Sequence, residues 1–463
     1  MGLTLPNEVL LMVGEQLDKH QDRWNLVFVC RDFHNVFLSL VYGKVALRNW
    51  RDMKSFLYVV VKQVTLAKSV RELDLSGWQM EAFSDEELNI IENDIDLENL
   101  VKASSDSIEE AKRWQQSLGK GLCDAWIALA LPLLTHLRYL QMKFNEKPHF
   151  MDLTMQRAVN GEKPFHDQTA FRYLQKVVCD RVDHADPQDP FDHLHPNSAA
   201  LLMSFFYFPS MRAIDANMVI DPSTAIGELS NKPGFSSVSE INLRSSCGNR
   251  GMQVLIESCA GLVSFKYQHS DAHVHSHGYQ PTAFYRSLTR SRETLQTLWL
   301  DNYGSHYSFT AAGLNQNHDE WFGPLSDFTA LRELRIRLSN LLDIQYQSDP
   351  TKPLVDCLPR SIETLYIEDC NERYLVMLVS QLQLVLKHRL TRLPKLQRVY
   401  IEGPFRNDRS DYSGNDSTTV MNTVDHSIKS KVIQAVEPLH ESCLAARVEL
   451  YVHDRAFTRN AHG

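Results

Sequence analysis

Apolar residues recur at helical steps from the start of the chain, where Val9, Leu10, Val13 and Leu17 follow Pro6 along one helix face. Proline suits a first helical turn, since its missing N–H has no partner there in any case. After a polar break from Asp18 to Asp22, a second helical pattern runs through Leu26, Val29, Cys30, Phe33, Val36, Phe37 and Leu40, with Val27 and Phe28 adding apolar surface on other faces. A helix pair of this size cannot bury all of that surface internally, so the pattern predicts that something else covers it.

Farther along, the spacing changes to an apolar residue, two variable ones, a second apolar residue, one variable and a third apolar residue. Ten candidates begin at Val70, Leu137, Phe171, Met211, Val238, Leu262, Leu295, Leu331, Ile362 and Leu396, the third and fourth being poor matches. From Val238 the successive intervals are 24, 33, 36, 31 and 34 residues, room for a strand, a loop and a helix in each unit. Gly251 to Ala260, Thr282 to Ser291 and Tyr374 to Lys387 read as the intervening helices, and Ile108 to Leu134 also reads as helical. Each unit has one apolar strand face and one apolar helix stripe that only its neighbours can cover, so stacked parallel strands are expected.

Two resemblances follow. The order Leu5-Pro6-Asn7-Glu8-Val9-Leu10, then Leu17, then Leu26-Val27-Phe28-Val29-Cys30-Arg31, then Phe33 and Val36 resembles the F-box, fungal F-box proteins in particular. The resemblance implies a three-helix module that binds the Skp-type adaptor of a cullin-RING ubiquitin ligase, with the rest of the chain bringing substrates to the ligase. It implies Leu5, Pro6, Val9, Leu10, Leu17, Leu26, Val29, Cys30 and Phe33 as adaptor-binding positions, some of them shared with the module's core. Residues Lys19 to Trp24 depart from the family pattern, which is expected to loosen the start of the second helix. The repeated pattern resembles an irregular leucine-rich-repeat solenoid, with strands on a concave face and helices on a convex one. The asparagine that usually turns the chain after each strand is mostly missing, although Asn302 and Asn371 stand near its place.

The expected architecture is therefore α/β: an F-box over residues 1–48, a helical and acidic connector over 49–136 containing the first repeat strand, repeats over 137–455 and a tail over 456–463. In such a repeat, side chains between the apolar strand positions turn to the concave face. That row gathers Trp299, Arg335, Tyr366 and Tyr400, and the positions two residues beyond include Arg244, Asp301, Arg337, Glu368 and Glu402. Trp, Tyr and Arg dominate interface hot spots, so these nine residues are the candidate substrate surface. Aromatics also favour sheets for packing alone, and that reading stands beside the functional one.

Composition narrows the partner class. The 463 residues are 43% hydrophobic and 23% charged, ordinary for a globular protein large enough for two or more structural units. A net charge of -9 argues against a nucleic acid partner, and residues 1–50 balance five acidic with five basic side chains. The amino terminus has no secretory leader pattern, Pro6 stands where a myristoylation pattern needs Ser or Thr, and no apolar run approaches a membrane span. The eight cysteines contain no C-x-x-C pair and fit reduced thiols in a cytoplasmic or nuclear protein.

Catalysis and cofactors find little support. His269, His273, His275 and His277 lie beside Asp271, but their spacing is unlike compact zinc patterns, and an exposed polar loop is the simpler reading. No H-E-x-x-H, G-x-S-x-G or phosphate-loop motif occurs. The stretch from Glu81 to Glu110 carries eleven acidic residues against the single basic Lys102 and reads as a solvated helix or loop. Lys387, His388, Arg389, Arg392, Lys395 and Arg398 cluster at an expected helix end, where cations complement the helix dipole. Asn407 to Thr419 reads as a surface loop. The expectation is a non-enzymatic receptor that uses no cofactor or metal, gripping an adaptor and, through it, a cullin at one end and a protein substrate along the repeats, the alternative being a repeat scaffold without any ligase.

Overall fold

The structure, a computed structural model, describes residues 5–17, 19–78, 95–144, 149–167, 169–181, 199–221, 233–248, 250–270, 279–301, 319–344, 349–406 and 428–455. Contacts divide the chain into two compact units, in outline Met1–Met218 and Ser239–Gly463, with short stretches between 219 and 238 divided between them.

The first unit opens with three helices, α1 (Asn7–Glu15), α2 (His20–Val27) and α3 (Arg31–Val41). Pro6 stands one position before α1, at its N-cap, and its carbonyl accepts the amides of Val9 and Leu10 at 3.0 and 3.1 Å. The second helical pattern is not one helix but two. Cys30 takes an extended backbone at the N-cap of α3, where its Sγ accepts the Phe33 N–H at 3.5 Å, and this interrupts the run. The start of α2 falls within the departing segment Lys19 to Trp24, and Arg23 Nε donates to the Leu17 carbonyl at 2.8 Å, just past the end of α1. Val27, Val36, Phe37 and Val41 form the trio's core.

Five parallel strands follow among the described residues of this unit: β1 (Lys44–Ala46), β2 (Glu72–Leu75), β3 (Tyr139–Phe144), β4 (Lys176–Arg181) and β5 (Ala213–Asn217). The first strand lies inside the segment read as F-box, because Tyr42, Val45 and Leu47 already carry the repeat spacing and align with Val70, Leu73 and Leu75. The third candidate begins three residues later than expected. Leu140 pairs with Val177 and Met142 with Cys179, so the apolar triad is Leu174, Val177 and Cys179, while Phe171 has a positive φ of 47° in the turn before it. Helices Trp50–Lys62, Cys123–Ala130, His149–Asn160 and Ala199–Phe206 lie between the strands in sequence. The helical reading from Ile108 resolves into Ile108–Gly119, Cys123–Ala130 and a short 3-10 turn.

The acidic stretch is only partly a solvated one. Glu81 to Asp94 lie outside the described residues, but Glu110 is buried and paired through both oxygens, each 2.9 Å from the guanidinium of buried Arg157.

Among its described residues the second unit has seven parallel strands, β6 (Glu240–Ser246), β7 (Ser264–His269), β8 (Thr297–Asp301), β9 (Glu333–Arg337), β10 (Thr364–Glu368), β11 (Arg398–Gly403) and β12 (Glu449–Asp454). In-register side chains Ile241, Phe265, Leu298, Leu334, Leu365 and Val399 stack into a continuous core, none more than 1% exposed. Each such burial is worth roughly 1.5–3 kcal/mol. Helices Gln253–Ser258, Pro281–Leu288 and Leu375–Lys387 match the expected intervening segments, and Ser430–Ala446 precedes β12. The twelfth strand escaped the sequence pattern because Arg447, with a left-handed φ of 55°, occupies the place that Leu396 fills before β11. Asn371 caps the short turn Glu372–Tyr374 by accepting the Arg373 N–H at 3.1 Å, and Asn302 lies outside the described residues.

Candidate functional site

The helical trio buries its core yet leaves an apolar surface uncovered. Of the nine positions singled out, Leu5, Pro6, Val9, Val29 and Cys30 are exposed, and Leu10, Leu17, Leu26 and Phe33 are half-buried. None lies in the sealed core, although Leu10, Leu26 and Phe33 pack against its rim. Three more residues join the open surface: Met12, Val13 and Phe28, exposed by 64%, 55% and 70%. Val13 belongs to the stripe of the first helix and Phe28 to the apolar residues on other faces, while Met12 fell in neither pattern. In the folded chain, the break after Val27 puts Phe28 and Val29, 62% exposed, on the short α2–α3 connection.

On the second unit, the strand residues between the apolar positions form a ladder across six strands. Lys266, Trp299, Arg335, Tyr366, Tyr400 and Tyr451 occupy one register from β7 to β12. The Lys266 ammonium sits 3.6 Å from the Trp299 ring centre, and the Arg335 guanidinium lies 5.6 Å from Trp299 and 4.7 Å from Tyr366. Tyr366 and Tyr400 stack at 5.1 Å, and Tyr400 and Tyr451 at 4.5 Å. All six are half-buried, so the stripe packs against itself and faces solvent at once.

The positions two residues beyond behave differently. Arg244 and Asp301 remain half-buried, but Arg337, Glu368 and Glu402 are buried, which removes them from the open surface. Groups of this chain hold them. Arg337 donates to Asp369 at 2.6 Å and to Asp319 at 3.1 Å; Glu368 is paired with Arg335; Glu402 accepts the Tyr366 hydroxyl proton at 2.5 Å. Burial pushes the Glu368 carboxyl well up and the charge of Asp301 adds to it, with Arg335 pulling the other way. Burial likewise raises the Tyr366 phenol, and the Glu402 carboxylate raises it further. Burial works to lower Arg335, but the charges of Glu368 and Asp301 outweigh it and hold the guanidinium protonated. These buried groups fasten the ladder from beneath.

Of the histidine group, His269 is fully buried and its Nδ1 lies 2.7 Å from the Tyr267 hydroxyl, while Asp271, His273, His275 and His277 lie outside the described residues. Among the described residues no cluster of three or more His, Cys, Asp or Glu side chains is arranged to hold a metal, and no helix is long and apolar enough to cross a membrane. In the basic cluster, Arg392 pairs with Asp356, and Arg389 Nε donates to the Leu396 carbonyl at 2.9 Å. The segment from Asn407 to Thr419 lies outside the described residues.

Parallel strands alternating with helices, each turn repeating one apolar register, define a leucine-rich-repeat protein. The chain belongs to the leucine-rich repeat domain family, whose model matches residues 45–404. The match begins within β1 and leaves α1–α3 outside it. No curated protein matches the chain. Family and fold together define a protein-interaction scaffold.

Proposed function

We propose that the chain is the substrate receptor of an SCF-type ubiquitin ligase, with α1–α3 acting as an F-box that binds the Skp-type adaptor and, through it, a cullin. The observation that carries this reading is the open apolar surface of Leu5, Val9, Met12, Val13, Phe28 and Val29 on a module whose own core is already complete. Burying one such side chain contributes roughly 1.5–3 kcal/mol, and half a dozen offset an association cost of about 4–15 kcal/mol. Exposed apolar side chains gathered on a folded module are the mark of an interaction site.

In this reading the repeats grip a protein substrate through the Lys266 to Tyr451 ladder, and ubiquitin transfer is accelerated by proximity alone. The chain itself performs no chemistry, needs no cofactor, takes no nucleic acid or membrane as partner, and works in the cytoplasm or nucleus. The second reading, a leucine-rich-repeat scaffold without a ligase, draws on the family match, which starts only at residue 45. Size-exclusion chromatography of the full chain with purified Skp-type adaptor separates the two. Co-elution, weakened by Leu5→Ala with Pro6→Ala, is the expected result; separate elution at micromolar concentrations leaves only the scaffold.

A further inference from the structure

The two terminal strands of the sequence are finished differently. β1 has three residues and opens on Lys44, the short and charged form that keeps a strand from recruiting another. β12 has six residues, Glu-Leu-Tyr-Val-His-Asp, with neither lysine nor proline. Among the described residues it is the last strand of its sheet, paired only with β11. Leu450 and Val452 are left half-exposed, whereas Val399 and Ile401, their register partners on β11, are at most 1% exposed.

We propose that β12 docks on a second copy of this chain, the two strands pairing antiparallel with Tyr451 on the two-fold axis. Three observations select this occupant and register. The Glu449 N–H donates to the Gln397 carbonyl on the β11 side at 2.8 Å, so by strand alternation the backbone groups of Tyr451 and His453 point the same way, and those of Leu450 and Val452 point outward. Centred on Tyr451, the pairing lets Leu450 exchange both backbone hydrogen bonds with the partner's Val452, and Val452 with the partner's Leu450.

The side chains fit the same register. A strand added here must bring aliphatic residues to cover Leu450 and Val452 and a ring to continue the stack of Tyr366, Tyr400 and Tyr451. β12 supplies that alternation itself as Leu450-Tyr451-Val452. Tyr451 then meets the partner's Tyr451 as a non-hydrogen-bonded pair, the geometry in which cross-strand side chains come closest. Glu449 falls opposite the partner's His453, so charge complementarity favours the same alignment.

Sedimentation equilibrium of the full chain over a concentration series tests this. A six-residue edge buries less than the roughly 1,200–2,000 Å² of a standard stable interface, so the expected result is a reversible dimer with a dissociation constant in about the micromolar range. Val452→Pro removes an outward N–H without taking a donor from the β11 ladder, and Leu450→Lys places a charge on the edge; each weakens the dimer at least about tenfold. Glu449→Lys weakens it too, and adding His453→Glu restores it, a rescue that misfolding does not produce. A chain monomeric up to about 100 µM, or a dimer indifferent to both Val452→Pro and Leu450→Lys in natively folded variants, overturns the proposal.

Discussion

A Cβ added to Gly14 would stand 2.7 Å from Cε1 of Phe37 and 2.8 Å from Cδ2 of Leu40, so a side chain here has to displace the Phe37 ring and the Leu40 methyl where α1 packs on α3. Overpacking of a filled contact costs typically about 1–3 kcal/mol. Gly14→Val is therefore expected to destabilise the trio by about that amount and to weaken adaptor binding with it. Met12→Ser on the same helix, at an exposed position, is expected to leave the urea midpoint within experimental error while still lowering adaptor affinity. Chemical denaturation of both variants beside an adaptor titration checks the pair.

Trp299 is flanked by two cations, and its contact with Lys266 is the closer. A double-mutant cycle of Lys266→Ala and Trp299→Ala is expected to give a coupling of about 0.5–1 kcal/mol in unfolding free energy, the range for a partly exposed cation–π pair. Trp299→Ala and Tyr366→Ala are also expected to diminish co-precipitated substrate while adaptor binding stays intact. Equal loss of both activities means the repeats have unfolded.

Arg337 lies two positions beyond the ladder residue Arg335 and is buried. Removing it leaves Asp319 and Asp369 without the guanidinium that joins them. Asp319 keeps the Ser339 hydroxyl and Asp369 keeps Arg455, so the loss is that of the charged hydrogen bonds themselves, and Arg337→Met is expected to lower the unfolding free energy by about 1.5–3 kcal/mol. Urea denaturation reads the effect, and no change would mean that Arg337 does not fasten the sheet.

Glu110 provides a pH dependence with a definite sign. Burial pushes its carboxyl up, but hydrogen bonds from Arg157 outweigh this and hold it below the ordinary value. The folded state therefore binds the acid's proton less readily than the unfolded state. Its stabilisation is complete above the unfolded pKa of about 4.3 and is lost as pH falls through the lower, folded value. Thermal melts between about pH 6 and pH 3 are expected to drop more steeply in the natural chain than in Glu110→Gln, which starts less stable and has no such proton to take up.

Much of this was legible in one sequence because leucine-rich repeats reuse one register. Nine of the ten candidate positions fall at strands with the expected triad in the core, and Met211, a poor match by composition, is among them, with Ile214 and Ala216 buried. Phe171 misled because a phenylalanine in a turn looks like the first apolar position of a strand, and Lys176 in the third place was the warning. β1 was hidden by its overlap with the helical module, and β12 by an arginine where the pattern needs an apolar residue. The break between α2 and α3 is invisible to periodicity, since it rests on one cysteine taking an extended backbone. Strand alternation sets Trp299, Arg335, Tyr366 and Tyr400 between the core positions, where they are half-buried. It does not report whether a loop or acid covers a residue, and so Arg337, Glu368 and Glu402 looked open when they are buried.

Isothermal titration of the full chain with purified Skp-type adaptor tests the receptor reading most directly. The account predicts saturable binding with a dissociation constant of about 1 µM or tighter. Phe28→Ser with Val29→Ser, at side chains open to solvent before any partner arrives, is expected to weaken it at least about a hundredfold with an unchanged melting temperature. Absence of heat and of complex at tens of micromolar adaptor, from a chain that melts cooperatively, would contradict it.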